Sequence, residues 1–456
     1  MEFRLFEYSG IAPPRFHRRP VRLRLEKARD GRSRPLTFER ARPKHLWAQS
    51  SYRSCLVRRP AASRGIARKS VGRLSIRFFV IYVIYIISIM KNLYIIYCAV
   101  ALSLLAGCKM ASSPSSEPVA DISGNKNWTS IAISDDGQKL AAVVSGDHIY
   151  TSSNSGATWT DRSTGIISGN KNWQSIAMSD DGEKLAAGVG GVSGDGRHLY
   201  TSSNSGANWT DRSTGAIAGD KTWRSIAMSD DGTKLAAVVF PGNLYTFSNS
   251  EATWTNRSTA AGSVSVIGGT KYWHSIAMSG NGKYLAAVVS GGHIYTSSNS
   301  GATWTDRSTG IISDDKNWVS IAMSDDGEKL AAVVLNGNLY TSTDSGATWT
   351  NRSTPTGSGI SGNKNWFSIA MSDDGQKLAA AVLFGHIYTS SNSGADWTDR
   401  STAGSGIAGS KDWESIAISD DGERLAAVVN GGHIYTSSDG DVIWIDRSRA
   451  PSIGTP

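Results

Sequence analysis

Cysteine is nearly absent from this chain of 456 residues: Cys55, Cys98 and Cys108 are the only three, and none lies beyond residue 108. The long carboxy-terminal part therefore has neither a disulfide framework nor a thiol metal site. A sustained 3.6-residue apolar period is missing there too, which excludes a helical architecture. Basic excess is also missing, although the whole chain conceals it with a net charge of +8 and a pI near 9.3. Residues 1–89 alone hold 21 Lys+Arg against 5 Asp+Glu. From Cys108 onward 25 basic residues face 34 acidic ones, a net charge of −9 that removes the basis for a nucleic-acid partner.

What is present is tryptophan at a near-fixed spacing. Fourteen of the 15 fall into two interleaved series of seven. The first is Trp128, Trp173, Trp223, Trp273, Trp318, Trp366 and Trp413, with steps of 45, 50, 50, 45, 48 and 47 residues. The second is Trp159, Trp209, Trp254, Trp304, Trp349, Trp397 and Trp444. Such a period marks a repeat architecture whose units bury their apolar faces against one another.

One repeat contains four short segments rich in β-branched and aromatic residues, Trp128–Ile133, Lys139–Val144, His148–Ser152 and Thr158–Ser163. Gly, Asp, Asn and Ser turns separate them. Leu140–Val144 is apolar on both faces, as suits a strand between two neighbouring sheets. Four strands in each of seven repeats predict an all-β chain, a seven-bladed β-propeller with four antiparallel strands per blade, which leaves only short edges exposed. An open β-solenoid is the alternative, but its coils are usually shorter.

At the turn between the third and fourth segments, Ser342-Thr343-Asp344-Ser345-Gly346-Ala347-Thr348-Trp349 carries the full pattern Ser-x-Asp-x-Gly-x-Thr-Trp. Ser152–Trp159 and Ser297–Trp304 carry it with Asn for Asp, and the third copy is eroded at Phe247 and Glu251. These copies resemble the Asp-box (BNR, sialidase-like) repeats, over residues 121–449. The resemblance implies a propeller. In that family the box is a folding turn, so it implies no activity.

Ahead of the repeats, Met90-Lys91-Asn92, the apolar stretch Leu93–Leu105 and Leu105-Ala106-Gly107-Cys108 read as a secretory signal. The last tetrapeptide resembles a bacterial lipobox, which implies that Cys108 carries lipid. The chain then divides into a basic upstream segment, 1–89, expected to be untranslated or without fold; a lipoprotein-type signal, 90–108; a Ser/Pro-rich tether, 109–120; the propeller, 121–449; and a tail, 450–456. Localisation is expected at the cell envelope, lipid-anchored at an outer membrane or cell surface. Secretion, or a single-pass anchor formed by residues 78–107, is the alternative.

Three sets of repeated positions are expected on the face formed by the second-to-third strand turns and the connectors, where the channel opens. Lys126, Lys171, Lys221, Lys271, Lys316, Lys364 and Lys411 stand two places before the first-series tryptophans. They are either an anion-facing ring or side chains whose stems cover the nearby Trp. His148, His198, His293, His386 and His433, with Asn243 and Asn338, suggest turn chemistry, because third strands of adjacent blades lie too far apart to share a metal. Directly after each first-series tryptophan come Thr129, Gln174, Arg224, His274, Val319, Phe367 and Glu414. This position differs in every repeat, which makes it the expected ligand-binding surface. Longer loops, 192–196 and 260–272, and Pro241 mark the second and third repeats.

These features predict a non-catalytic binding or scaffold propeller, a monomer without cofactor or metal, that recognises a glycan or protein partner at the channel mouth. An Asp-box glycoside hydrolase is one alternative. It would need two carboxylates about 5–9.5 Å apart, whereas most acids here are repeated turn residues such as Asp135-Asp136. An assembly factor similar to the photosystem II assembly propellers is another.

Overall fold

The uninterrupted apolar run of each repeat becomes the second strand of a four-stranded antiparallel sheet. The structure, a computed structural model, describes residues 118–191, 197–249, 253–259, 266–354, 359–438 and 442–448. In the first repeat the strands are β1 (Lys126–Ile133), β2 (Leu140–Asp147), β3 (Ile149–Ser152) and β4 (Thr160–Asp161). They pair in chain order. Among the described residues six further sheets repeat this order, each starting at a strand that carries a first-series tryptophan. The first strand of each sheet packs against that of the next, and the last, Trp413–Ile418, packs against β1. The sheets thus close a circle, a β-propeller around a channel.

Strand alternation explains the packing. Ala142 and Val144 of β2 face Trp128 and the seventh sheet, in a cluster with Ala426 and Val428. Ala141 and Val143 face Trp173 of the second sheet. Small residues on both faces let the sheets approach, and the seven first-series tryptophans fill the space between, all fully buried. Each then contributes on the order of 4–6 kcal/mol of gross burial.

The circle closes without strand exchange between termini, because the fourth strand of the seventh sheet, Trp444–Asp446, belongs to its own repeat. Lateral contacts close it instead. Lys126 and Asn127 pair with Gly432 and Asn430. Trp128 Nε1 donates to the Gly432 carbonyl at 3.2 Å, and Arg424 reaches the Asp136 carbonyl. A ring of hydrogen bonds also runs around the channel. The hydroxyls of Ser130, Ser175, Ser225, Ser275, Ser320, Ser368 and Ser415 each accept an Ile N–H of the following sheet, at 3.1–3.4 Å. Val119 and Ala120, expected in the tether, belong to the fold. Val119 bridges Thr160, and the Ala120 N–H donates to the Trp159 carbonyl, which covers the outer edge of the first sheet.

The segments 1–89 and 90–108 with Cys108, the tether up to residue 117, and the tail 450–456 lie outside the described residues. Among the described residues no helix is long and apolar enough to cross a membrane.

Candidate functional site at the channel mouth

Every innermost strand is bulged at one residue, and that residue is the variable one. In β1 the register jumps from Trp128↔Val144 to Ser130↔Val143, so Thr129 is extra. The same shift isolates Gln174, Arg224, His274, Val319, Phe367 and Glu414. A bulge re-aims a side chain out of strand alternation. Here the flanking Trp stays in the core, the flanking Ser bonds the next sheet, and the bulged residue is freed from that alternation; Val319 is itself buried in the core beside Trp366.

Four of the bulged side chains, Gln174, Arg224, His274 and Phe367, meet. Thr129 Oγ1 donates to the Trp173 carbonyl at 2.9 Å. Arg224 Nη1 donates to Gln174 Oε1 at 3.2 Å, and its Nη2 lies 3.0 Å from His274 Nε2. His274 Nδ1 is 2.7 Å from the Val319 carbonyl. That bond requires Nδ1–H as donor, leaving Nε2 as the acceptor for Arg224. The Arg224 guanidinium also lies over the Phe367 ring at 6.0 Å, and His274 meets that ring edge-on at 6.2 Å. Contacts between the third, fourth and sixth repeats span the channel rather than following its rim.

Charge in this cluster is set by burial. Burial, then the charge of Arg224, pushes His274 down to about 3, against the opposing hydrogen bond it donates to the Val319 carbonyl, so the imidazole is neutral. Burial pushes Glu414 up to about 7, with Arg224 pulling it down and Asp412 pushing it further up. Burial lowers Arg224 too, and Glu414 opposes this.

Beside this cluster lies a cavity of about 720 Å³ lined by Gln174, Gly191, Arg197, Thr222, Arg224, Phe240, Pro241 and His274. Most of these positions break the repeat. Arg197 stands where the first repeat has Asp147, Thr222 where it has Asn127, and Phe240 where it has Ser145. Gly190 replaces that serine in the second repeat, and a Cβ there would lie 2.2 Å from Gln174 Cγ. The glycine is what lets Gln174 lie flat beside the cavity. The expected loop differences thus converge here in part: Arg197 follows insertion 192–196 and Pro241 lines the wall, while 192–196 and 260–265 lie outside the described residues. Other grooves recur from sheet to sheet with equivalent residues, such as Leu185, Thr201 and Arg212, or Leu378, Thr389 and Arg400, and so follow from the repeat itself.

The lysines belong to the blades. Lys126, Lys271, Lys364 and Lys411 lie over Tyr150, Tyr295, Tyr388 and Tyr435 at 5.2–5.7 Å. In these four the ammonium thus lies over the third-strand tyrosine of its own blade. Each lysine backbone also joins the turn of the preceding sheet, as Lys171 does with Asp147 and Lys316 with Gly292. Lys126 adds an ion pair to Asp147 at 2.8 Å. Lys221 donates to the Ala218 carbonyl.

The histidines do more than shape a turn. Nδ1 of His148, His198, His293, His386 and His433 bonds Asp161, Asp211, Asp306, Asp399 and Asp446 at 2.6–2.7 Å. Where the histidine becomes Asn243 or Asn338, the residue 13 places on becomes Asn256 or Asn351. This paired change was visible in the sequence and marks a contact between third and fourth strands.

One cluster escaped sequence reasoning. Asp135, Asp180, Asp230, Asp325, Asp373 and Asp420, expected as ordinary turn acids, form a ring at the opposite channel end, with Gly280 in the fourth repeat. Backbone N–H groups donate to the next repeat's carbonyl from Asp135 round to Asp373, through Gly280, at 3.0–3.2 Å. The Asp230 and Asp325 carboxyls fill the space a Cβ at Gly280 would take. Burial first, then neighbouring aspartates, pushes Asp180 up to about 6, Asp230 to about 7 and Asp420 to about 9. Among the described residues no three His, Cys, Asp or Glu groups gather as a metal would require.

Solved structures share this fold. The GH74 xyloglucanase from Xanthomonas campestris has a TM-score of 0.55 at 16% identity, covering 73% of this chain and 56% of its own. An ancestral GH74 enzyme has 0.55 at 15%, covering 73% and 47%. YCF48 from Cyanidioschyzon merolae has 0.50 at 15%, covering 69% and 96%. The fold is that of the β-propellers. The chain spans about half the length of these two GH74 proteins. At these identities the likeness carries the fold alone, and a GH74 enzyme and YCF48, also solved bound to a D1 peptide, share it. No protein-family model matches the chain. No curated protein matches it either.

Proposed function

We propose that this protein is a non-catalytic binding propeller, held at a cell envelope by lipid on Cys108, that recognises a glycan or a protein partner with its channel mouth. The observation that carries this is the convergence of departures from the repeat on one surface. The blades keep nearly every residue, yet Gln174, Arg197, Arg224, Phe240 and His274 differ from their counterparts and border one cavity. A repeated residue serves the sheet, whereas these serve no common structural purpose.

One feature favours a second reading, that of a glycoside hydrolase. Glu414, raised to about 7, keeps its proton near neutral pH as a general acid would. The partner carboxylate would have to be ionised. Its neighbour Asp412 is itself raised by burial, so the binding function is preferred. A protein partner taken at the same mouth would make the propeller an assembly factor.

The test is binding of the purified full-length chain to glycan and peptide arrays, with turnover of a panel of model glycosides measured in parallel. Binding that falls at least tenfold in Arg224→Ala and Phe367→Ala, without turnover, is expected. Turnover abolished by Glu414→Gln would overturn the proposal. Mass spectrometry of the mature amino terminus tests the anchor, with acylated Cys108 expected and an unmodified chain from Met1 opposing it.

A further inference from the structure

We infer that the cavity beside the bulged ring takes a carboxylate carried on a compact ring-shaped body, and that Glu414 is the internal charge this carboxylate replaces. The inference rests on the proposed binding role of the channel mouth and adds the chemistry of the ligand.

The positive wall comes from two arginines. Arg224 spends its known hydrogen bonds on the neutral partners Gln174 and His274. Arg197 Nη1 donates to Thr222 Oγ1 at 3.1 Å and more weakly to the Gly191 carbonyl. Its Nε is buried and has no hydrogen-bond partner among the described residues. No carboxylate lies within ion-pair distance of either arginine among the described residues. A buried guanidinium without a paired anion, such as that of Arg224, is costly, and the forked donors of both arginines match a carboxylate.

The apolar wall is aromatic. Phe240 and Tyr272 lie 5.4 Å apart, and Phe240 meets His274 edge-on at 6.4 Å. A cavity of about 720 Å³ lies within the range for small-molecule sites. Together the walls suit a flat ring with one carboxylate. A single negative charge is expected because the group it displaces is also a single carboxylate.

That group is Glu414. The charges that act on it are Arg224 across the channel and Asp412 on its own repeat. The other bulged residues of the inner strands, Thr129, Gln174, Val319 and Phe367, carry no charge, and His274 is neutral near pH 7. From the strands packed against Trp413–Ile418, Lys126 is held on Asp147, and Lys364 and Lys411 lie over their own tyrosines. When Glu414 is ionised it compensates Arg224 and repels an incoming anion. When it is protonated the arginine field is open.

The probes are benzoate, benzamide and inorganic phosphate, titrated into the full-length chain by calorimetry at pH 6 and pH 8. Benzoate stays ionised across this range, so only the protein changes charge. With Glu414 titrating near 7, benzoate binding is expected to be about tenfold weaker at pH 8, in proportion to the protonated fraction. Glu414→Gln is expected to bind at the pH 6 strength at both values, and Arg224→Met or Arg197→Gln to weaken benzoate at least tenfold with an unchanged melting temperature. Benzamide as strong as benzoate, phosphate as strong as benzoate, or a pH slope that survives in Glu414→Gln would overturn the inference. Array ligands that still require Phe367 while benzoate fails to bind would leave the broader binding role standing and remove this chemistry alone.

Discussion

At the scale of single residues, the repeat separates two kinds of constraint. The His–Asp pairs recur because they tie the third strand to the fourth within one blade. Asp306 accepts from His293 Nδ1 at 2.6 Å and from the Ser308 N–H at 2.9 Å. Asn256, at the matching place in the third repeat, still accepts from the Ser258 N–H at 3.0 Å. Asp306→Ala removes both acceptor roles and is expected to cost about 1–2 kcal/mol. The double change His293→Asn with Asp306→Asn copies a combination of residues the chain already carries twice, and is expected to cost under about 0.5 kcal/mol. Urea unfolding midpoints distinguish them, and equal losses would show that the pair is not interchangeable. The bulged positions follow the opposite rule, since no two repeats carry the same residue there. That contrast was legible in the sequence. The identity of the contacts was not, because Arg224, His274 and Phe367 come from three repeats and meet only across the channel.

At the scale of strands, most of the architecture was legible, since β-branched alternation and Gly/Asp turns recur seven times. The boundaries moved for specific reasons. β1 begins at Lys126 rather than Trp128 because Lys126 and Asn127 pair with Gly432 and Asn430, some 300 residues away. β4 shrinks to Thr160–Asp161 because side chains take its neighbours' backbone donors: Asn154 Oδ1 accepts from the Thr158 N–H and Asp161 Oδ1 from the Ser163 N–H. The bulge was not legible at all, since nothing in Trp-x-Ser-Ile shows that the middle residue lacks a partner. Its consequence is testable at the serine that follows it. Ser320 Oγ accepts from the Ile369 N–H at 3.2 Å, and Ser320→Ala leaves that donor on an unpaired inner edge. The expected loss is about 1–3 kcal/mol, with faster hydrogen exchange at the Ile369 amide and at no equivalent amide in other repeats. Uniform acceleration around the ring would mean that the serines act together rather than pairwise.

At the scale of the whole molecule, the paired aspartates of the inner turns respond to pH in opposite ways. The aspartate ring holds protons that an unfolded chain releases. Asp180, Asp230 and Asp420 are raised to about 6, 7 and 9 from an ordinary 3.8, by burial first and by one another second. An acid whose folded value is raised weakens the fold as pH climbs, because the native state must give up a proton it binds tightly. The penalty is absent below about pH 4, grows between the unfolded and folded values, and is complete above about pH 9. The second aspartates of the same turns act in the opposite sense. Asp421, whose carboxylate accepts from Ser419 and from the Glu423 N–H, is lowered despite the burial that opposes this. Its contribution is present at neutral pH and lost as pH falls through its depressed value. Stability should therefore peak in mildly acidic solution and decline toward pH 9, the reverse of a fold held by salt-bridged carboxylates. Asp420→Asn removes the most raised group while keeping a hydrogen-bonding side chain. It is expected to flatten the decline between pH 6 and pH 9 and to melt higher than the parent at pH 9, whereas Asp421→Asn should melt lower at pH 7. Thermal melts of the three proteins across that range decide the matter. Parallel pH slopes in the parent and Asp420→Asn would show that the carboxyls ionise independently, and that the ring is held by its backbone hydrogen bonds alone.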